Sequence, residues 1–290
     1  MSLLYQKELG IFYFLLKNFK MAKIKLSIII INYNGEEYLK SCIESIYSNC
    51  NSITFEIIIF DNNSIDNSAD LIGQYFSEVK FIKHDKNIGF AKGNNKAVKS
   101  AKGEFILLLN NDTILMEDLF GIIKILEKNN NIGALGIKML DKKKNYAPSV
   151  GKFPKPFKLW RISNLNYRSN EFKTGKFKDD NFLKVDWVSG AFLLTKKSYW
   201  DKVKGLDEDY FMYVEDVDYC KKLTYINKIT VFVPSISFIH FIGFNAKREA
   251  RLIKGYFLYA SKHFNKFEEL IAKLCLYSNY AFKKAFKSIH

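Results

Sequence analysis

Cysteine is scarce in this chain of 290 residues: Cys42, Cys50, Cys220 and Cys275 lie far apart and form no CxxC pair. That spacing disfavours a zinc site and leaves reduced thiols as the expectation. Long apolar runs are missing as well. Nothing approaches the roughly 18 uninterrupted residues that a bilayer-spanning helix needs. Leu9 to Leu16, near the start, is too short, and no small-residue cleavage site follows it. No GxxxxGK[ST] phosphate loop is present, and no GxGxxG follows the first apolar run, so a dinucleotide fold is disfavoured. There is no Ser/His/Asp arrangement to supply a covalent nucleophile. Negative charge is in deficit: 45 Lys and Arg against 30 Asp and Glu give +15. Such a balance favours a polyanionic partner, whether nucleic acid, an anionic membrane surface or a phosphorylated substrate. At 48% hydrophobic residues, the chain has the means to bury a core and is not disordered.

What is present is a series of short apolar runs that end in amides and carboxylates. Phe105 to Leu109 runs straight into Asn110-Asn111-Asp112-Thr113. A run without polar alternation reads as a strand buried on both faces, the kind found in parallel sheets. Leu26 to Ile31 repeats the pattern and ends in Asn32-Tyr33-Asn34-Gly35; Phe55 to Phe60 ends in Asp61-Asn62-Asn63-Ser64. Val79 to Ile82 is a weaker strand leading to a loop, Asn87 to Asn95, with two glycines. Helices are expected between the strands: Tyr38, Leu39, Cys42, Ile43 and Ile46 recur at helical spacing, another helix starts near Ser68, and Ala97, Val98 and Ala101 mark a third. Strand–helix alternation implies right-handed crossovers, so all these polar ends fall on one edge of a parallel sheet. Ligands bind at that edge, and this rim suits a nucleotide and its phosphates.

The second half is less regular. Ile132 to Leu140 reads as a strand, and 141–182 as a long Lys- and Asn-rich loop region around Trp160 and Tyr167. A strand with a Ser-Gly break is expected over Val185 to Leu194, and short ones at Val231 to Pro234 and Phe238 to Gly243. Between them, Gly205 to Cys220 carries six carboxylates interleaved with Tyr, Phe, Met and Val. Glu215 and Asp216 follow apolar residues and read either as carboxylates at a cleft, poised for base chemistry, or as acidic caps of a helix N-terminus. From Ala246 to the end there are ten Lys or Arg against three Glu, with Leu252, Tyr256, Tyr259, Phe264, Phe267, Leu270, Ile271 and Leu274 at helical spacing. One or two basic amphipathic helices are expected there, lying on an anionic membrane, packing on the domain, or both. The strand pattern begins after Met21, so the expected division is an extension over 1–21, a nucleotide half over 22–115, an acceptor half of the same domain over 116–245 and a helical tail over 246–290.

Six segments in this order and spacing resemble the inverting glycosyltransferases of family 2, of GT-A fold, and their rhamnosyltransferase-like branch. They are Ser27 to Gly35, Asp61 to Ser64, Asn87 to Ala91, Leu109 to Thr113, Trp187 to Ala191 and Glu215 to Asp218. The resemblance covers about residues 24–245 and implies an α/β fold with a mostly parallel central sheet flanked by helices. It implies that Asn32, Tyr33, Asn34, Asp61, Asn62, Asn87, Gly89, Asn110 and Asn111 face a UDP-, dTDP- or GDP-linked sugar. It places Trp187, Ser189 and Gly190 at the acceptor, which would be a glycan or a lipid-linked molecule. Asp112 would hold a divalent metal, Mg2+ or Mn2+, with His240 as a further metal or phosphate contact. Asp216 would be the general base, with Glu215 the competing candidate. Asn110 stands where the family's DXD motif has its first Asp, which leaves one carboxylate; one suffices in principle, since Mg2+ takes one or two protein carboxylates plus phosphates and water. The implied location is the cytoplasm, at the inner face of the membrane if the tail binds it, in cell-surface polysaccharide or glycan synthesis.

Two other classes remain open at this stage. A nucleotidyltransferase acting on sugar phosphates would carry a Gly-rich basic loop after the first strand, where Asn32 to Gly35 stands instead. A nucleic-acid-binding protein would gather its charge in a stripe with exposed aromatics; here charge is spread widely, dense in the tail, and carboxylates occupy the candidate site, so no nucleic-acid partner is expected.

Overall fold

The computed structural model describes residues 23–178, 182–241 and 246–287. The expected extension over 1–21 and the end of the segment reaching Gly243 lie outside them. Strands β1 (Leu26–Asn32), β2 (Phe55–Asp61), β3 (Lys80–Lys83) and β4 (Phe105–Asn110) form a parallel sheet in the order β3-β2-β1-β4. The register places Ile28 beside Ile57 and Leu107, and Asn32 beside Asp61. Successive side chains point to opposite faces. Ile28, Ile30, Leu107 and Leu109 therefore enter one core and Ile29, Ile58, Ile106 and Leu108 the other. Burial on both sides is why these strands carry no polar alternation.

Helices α1 (Glu36–Asn49), α2 (Ser68–Tyr75) and α3 (Phe90–Val98) make the crossovers. On α1, Leu39, Cys42, Ile43 and Ile46 are buried, as their spacing predicts. Helix α3 differs from expectation: it begins at Phe90 inside the two-glycine loop, and Ala101 lies beyond its end. Gly93 is tolerated within it because the helix presses on β1 and β2; a Cβ there would lie 3.2 Å from Ile31 Cδ1.

Beyond β4 the sheet becomes mixed. After a turn come β5 (Thr113–Leu115), α4 (Phe120–Lys128), β6 (Ile132–Leu140), the short β7 (Tyr146–Ala147) and β8 (Val150–Gly151), two 3-10 turns at Pro156–Trp160 and Ile162–Leu165, and α5 (Asn170–Thr174). Residues 141–178 thus hold more regular structure than the loop composition suggested. The expected strand over 185–194 is divided into β9 (Leu183–Val185), β10 (Trp187–Val188) and β11 (Phe192–Lys196), followed by α6 (Lys197–Lys202), α7 (Glu215–Tyr225) and β12 (Ile229–His240). The main sheet continues β4-β11-β6-β12-β5, with β11 antiparallel to β4; β7 and β9 flank β6 and β12, and β8 pairs with β10 in a separate ribbon. The two short strands expected around Val231 and Phe238 are one strand, whose pairing with β6 shifts between Val233 and Ser237. Pro234 lies in that shift, where its missing N–H costs no ladder bond.

The C-terminal helices α8 (Ala246–His263) and α9 (Lys266–Lys287) follow. Their inner faces pack on the domain: Tyr256, Tyr259, Ala260, Ala272 and Leu276 join Tyr210, Val214, Val217, Leu159 and Leu165 in a third core. Leu108, fully buried on β4, tests the sheet's dependence on two-sided burial. Leu108→Ala is expected to lower unfolding free energy by about 2–5 kcal/mol in urea titrations.

Candidate active site

The polar ends of β1, β2 and β4 meet in one buried network. Asn32 is fully buried; its Nδ2 donates to Asp61 Oδ1 at 2.8 Å and Ser64 Oγ at 3.0 Å, and its Oδ1 accepts from Asn111 Nδ2 at 2.8 Å. Asp61 also accepts from Ser64, through the hydroxyl at 2.5 Å and the backbone N–H at 3.0 Å. The Asn34 N–H donates to Ser64 Oγ, and Asn34 Oδ1 accepts from the Ile65 N–H. Gly35 follows, and a Cβ there would lie 2.0 Å from Asn111 Nδ2 and 2.4 Å from Asn32 Oδ1. The close approach of α1 to this network therefore needs glycine. Tyr33 stands at the rim, about half exposed. Ser64 was not among the expected site residues, although it ends one of the motif segments.

On the β3 side, Asn62 Nδ2 donates to Gly89 O at 3.2 Å and its Oδ1 accepts from the Ile88 N–H; Asn87 Oδ1 accepts from the Gly89 N–H. Gly89 has φ 86°, and a Cβ there would strike Phe211 O at 2.4 Å. The next N–H, of Phe90, donates to that same carbonyl at 2.7 Å. The Asn87 loop is thus tied to the acidic-aromatic segment, a link no local sequence signal reveals.

Just past the end of β4, Asp112 meets His240, which lies in the other half of the chain. Asp112 Oδ1 lies 3.2 Å from His240 Nε2, and Asn110 Nδ2 lies 3.1 Å from the same nitrogen. Strand pairing explains the meeting: His240 is opposite Thr113, where β12 runs antiparallel to β5. Asp112 is 2% exposed, more enclosed than a residue at an open mouth. Phe241 donates its N–H to Asp112 O, and its ring stacks on Tyr38 with centroids 5.2 Å apart. Below, Cys42 Sγ donates to Asn110 O at 3.6 Å; burial pushes this thiol up to about 12, so it is a neutral donor.

From Asn110 the contacts continue to the Gly190 segment and α7. Its N–H donates to Ala191 O at 3.1 Å, and the neighbouring Gly190 N–H donates to Asp216 Oδ2 at 2.9 Å. Asp216 Oδ1 accepts from the Val217 N–H at 2.8 Å, in the first turn of α7. The acidic stretch is therefore both a helix N-terminus and part of the polar rim. Ser189 is tied to Ser149 and Ala191, while Trp187 lies over Gly151 and donates Nε1 to Lys152 O. Helix α7 starts after two consecutive left-handed residues, Tyr213 (φ 74°) and Val214 (φ 75°). For a β-branched residue this conformation is costly, about 1–3 kcal/mol, and such strain gathers at functional sites.

Glu215 and Asp216 have different surroundings. Glu215 is 4% exposed and its Oε2 has no hydrogen-bond partner among the described residues. Burial first, and the charge of Asp216 second, push its carboxyl well above the usual carboxylate range. Burial thus disfavours the ionised form of Glu215, whereas the Asp216 carboxylate lies at the rim and accepts two backbone N–H groups.

Two ligand-type atoms converge at Asp112 and His240, and among the described residues no group of three or more His, Cys, Asp or Glu is placed to hold a metal. The Asp112 carboxylate, with His240 beside it, fits a divalent ion that draws its remaining ligands from a diphosphate and water.

A parallel half-sheet with a polar rim, continued by a mixed half-sheet, is the arrangement of the GT-A fold. The chain belongs to glycosyl transferase family 2, whose model matches residues 27–200. It is 30% identical to the rhamnosyltransferase WbbL of Escherichia coli K12 over 74% of this chain and 82% of that protein. It is 23% identical to an N-acetylglucosaminyl-diphospho-decaprenol L-rhamnosyltransferase of Mycobacterium tuberculosis, over 74% and 75%. In fold it resembles residues 1–349 of TarS from S. aureus, solved with UDP: TM-score 0.58 at 16% identity, over 90% of this chain and 73% of that one. GalNAc-T7, solved with UDP, GalNAc and Mn2+, gives a TM-score of 0.61 at 13% identity; it matches 77% of this chain, which spans 44% of that structure.

The buried Glu215 has a consequence for stability. Its folded carboxyl holds a proton more tightly than the unfolded one, so its contribution is full below the ordinary value of 4.5 and is lost as pH rises toward the folded value. Glu215→Gln keeps the shape and cannot ionise. Its Tm relative to the parent protein is expected to rise from about pH 4 to about pH 8, read by thermal melts across that range.

Proposed function

We propose that this glycosyltransferase moves a sugar from a UDP-, dTDP- or GDP-linked donor to a glycan or lipid-linked acceptor hydroxyl by one inverting displacement. The observation that carries the reading is the unbroken chain of contacts from Asp112 and His240, through Asn110 and Ala191, to Gly190 and Asp216. It joins a phosphate-binding end to a base. The rim formed by Tyr33, Asn34, Asp61, Asn62 and Asn87 receives the nucleoside, and Asn32 and Asn111 keep that rim in register. The Trp187–Gly190 segment shapes the acceptor side. Asp216 takes the acceptor's proton as its oxygen attacks the anomeric carbon, while the Gly190 N–H keeps the carboxylate aimed. Burial disfavours a second negative charge on Glu215 beside it. Asp112 and His240 would hold a divalent ion, Mg2+ or Mn2+, which when bound stabilises charge on the departing diphosphate.

Two relatives named as rhamnosyltransferases make a rhamnosyl donor and a polyprenyl-diphosphate-linked acceptor the first pair to test. A screen of UDP-, dTDP- and GDP-linked sugars, reading released nucleoside diphosphate, is expected to single out one donor. With it, Asp216→Asn should lower kcat on the order of a hundred- to ten-thousandfold with donor affinity little changed. Asp112→Ala should abolish metal-dependent binding of the nucleoside diphosphate in calorimetry while the fold is retained. Metal dependence that survives in this variant removes Asp112 from the metal site.

The tail supports a membrane location for the reaction. Among the described residues no helix is long and apolar enough to cross a membrane. Yet α9 turns Phe267, Leu270, Leu274, Tyr277 and Tyr280 outward, at a spacing that makes one stripe, with Lys266 and Lys273 on the same side. Both lysines also pair with Glu269, so the apolar stripe is what supports an interfacial helix on an anionic surface. Flotation with phosphatidylglycerol-containing vesicles is expected at low salt, weaker at high salt, and absent for Leu270→Glu/Leu274→Glu. No flotation of the parent protein at low salt rejects the membrane contact.

A further inference from the structure

Helix α7, which carries Asp216, is braced from the side by α8. At Gly255 a Cβ would lie 2.7 Å from Val214 Cγ2 and 2.8 Å from Tyr213 O, so the α8 backbone presses on the left-handed pair that opens α7. Tyr256 is buried next, in the core that holds Val214 and Val217. Two turns on, His263 Nε2 lies 2.7 Å from Asp218 Oδ1, and its Nδ1 lies 2.8 Å from Tyr225 Oη. A carboxylate only accepts, so Nε2 carries the proton. Asp218 and the His263 side chain are 1% and 6% exposed, and Tyr259 lies on the imidazole with ring centroids 4.4 Å apart. Lys262 ties the preceding loop as well, through Asp207 at 2.8 Å and Asp209 at 2.7 Å.

Asp218 follows Asp216 by two positions, about 200° around the helix. A tether at Asp218 therefore resists roll of α7 about its own axis, and roll is the motion that would swing the Asp216 carboxylate away from the Gly190 N–H. The left-handed Tyr213 and Val214 are a poor anchor by themselves, since their conformation is strained.

We propose that His263 is a positioning residue for sugar transfer: through Asp218 it fixes the roll of α7 and the aim of the Asp216 carboxylate, making the C-terminal helices part of the catalytic unit. This rests on Asp216 as the base.

The test uses the full chain, with the donor selected by nucleoside diphosphate release. His263→Phe keeps a ring against Tyr259 and removes the N–H; His263→Gln keeps an N–H for Asp218. The Phe variant is expected to lose kcat on the order of ten- to a hundredfold, as misplacement of a reacting group does. Its donor KM and its affinity for the nucleoside diphosphate should stay within about twofold, and Gln should restore most of kcat. A kcat near that of the parent protein in His263→Phe, a loss shared by diphosphate affinity, or a Gln variant as impaired as Phe overturns the proposal. Should His263→Phe fail to fold, Tyr225→Phe decides, because Tyr225 is exposed and its hydroxyl, at the end of α7, is the second bond by which His263 holds that helix. A lower kcat at unchanged KM supports the tether, and an unchanged kcat overturns it. Asp216→Asn measured in parallel separates the two readings. An active Asp216→Asn removes the base itself; a dead one beside a full-rate His263→Phe removes only the positioning role.

Discussion

The Asn32 side chain is the interaction on which the site depends. It lies at the point where three parallel strands end, fully buried, and both of its N–H groups and its carbonyl are used by Asp61, Ser64 and Asn111. A buried amide left without partners is costly, so the three strand ends must arrive together or not at all. No hydrophobic side chain could do this: burial is non-directional, whereas an amide holds its partners at defined positions. The glycine at 35 follows from the same constraint, since α1 starts where any Cβ would displace Asn111.

Charge is handled differently on the two sides of the rim. At the strand ends carboxylates are satisfied by neutral donors, as Asp61 is by Asn32 and Ser64, and the one carboxylate of the turn after β4 stands by an imidazole. At α7 three carboxylates fall within one helical turn, at Glu215, Asp216 and Asp218. They coexist because each has a separate solution: Glu215 is driven toward its neutral form, Asp216 is held by two backbone N–H groups, and Asp218 is met by His263. The N-terminal end of a helix also favours negative charge. Spread this way, the cluster leaves the Asp216 carboxylate against the Gly190 N–H.

The C-terminal helices serve two surfaces at once. The inner face of α8 reaches α7, and the outer face of α9 carries an unburied stripe of Phe, Leu and Tyr. A sequence pattern cannot separate these uses. Apolar residues at helical spacing look alike whether they pack inward or outward, and Tyr256 and Tyr277 differ only in which neighbour the fold brings to them.

Local residue pattern was enough for the parallel half-sheet and its polar edge, because burial on both faces demands unbroken apolar runs and strand ends demand polar turns. It was enough to single out Asp112 and the Glu215-Asp216 pair as candidates, since polar residues there break from apolar surroundings. Tertiary structure alone decided what those residues touch. Asp112 meets His240, and His263 meets Asp218, across separations that no local period encodes. The strands around Val231 and Phe238 became one because pairing with β6 carries the chain through Pro234. Glu215 and Asp216, adjacent and alike as carboxylates, differ only in the environment on each side of α7. A helix turns neighbours about 100° apart, which sends one into the core and leaves the other at the rim.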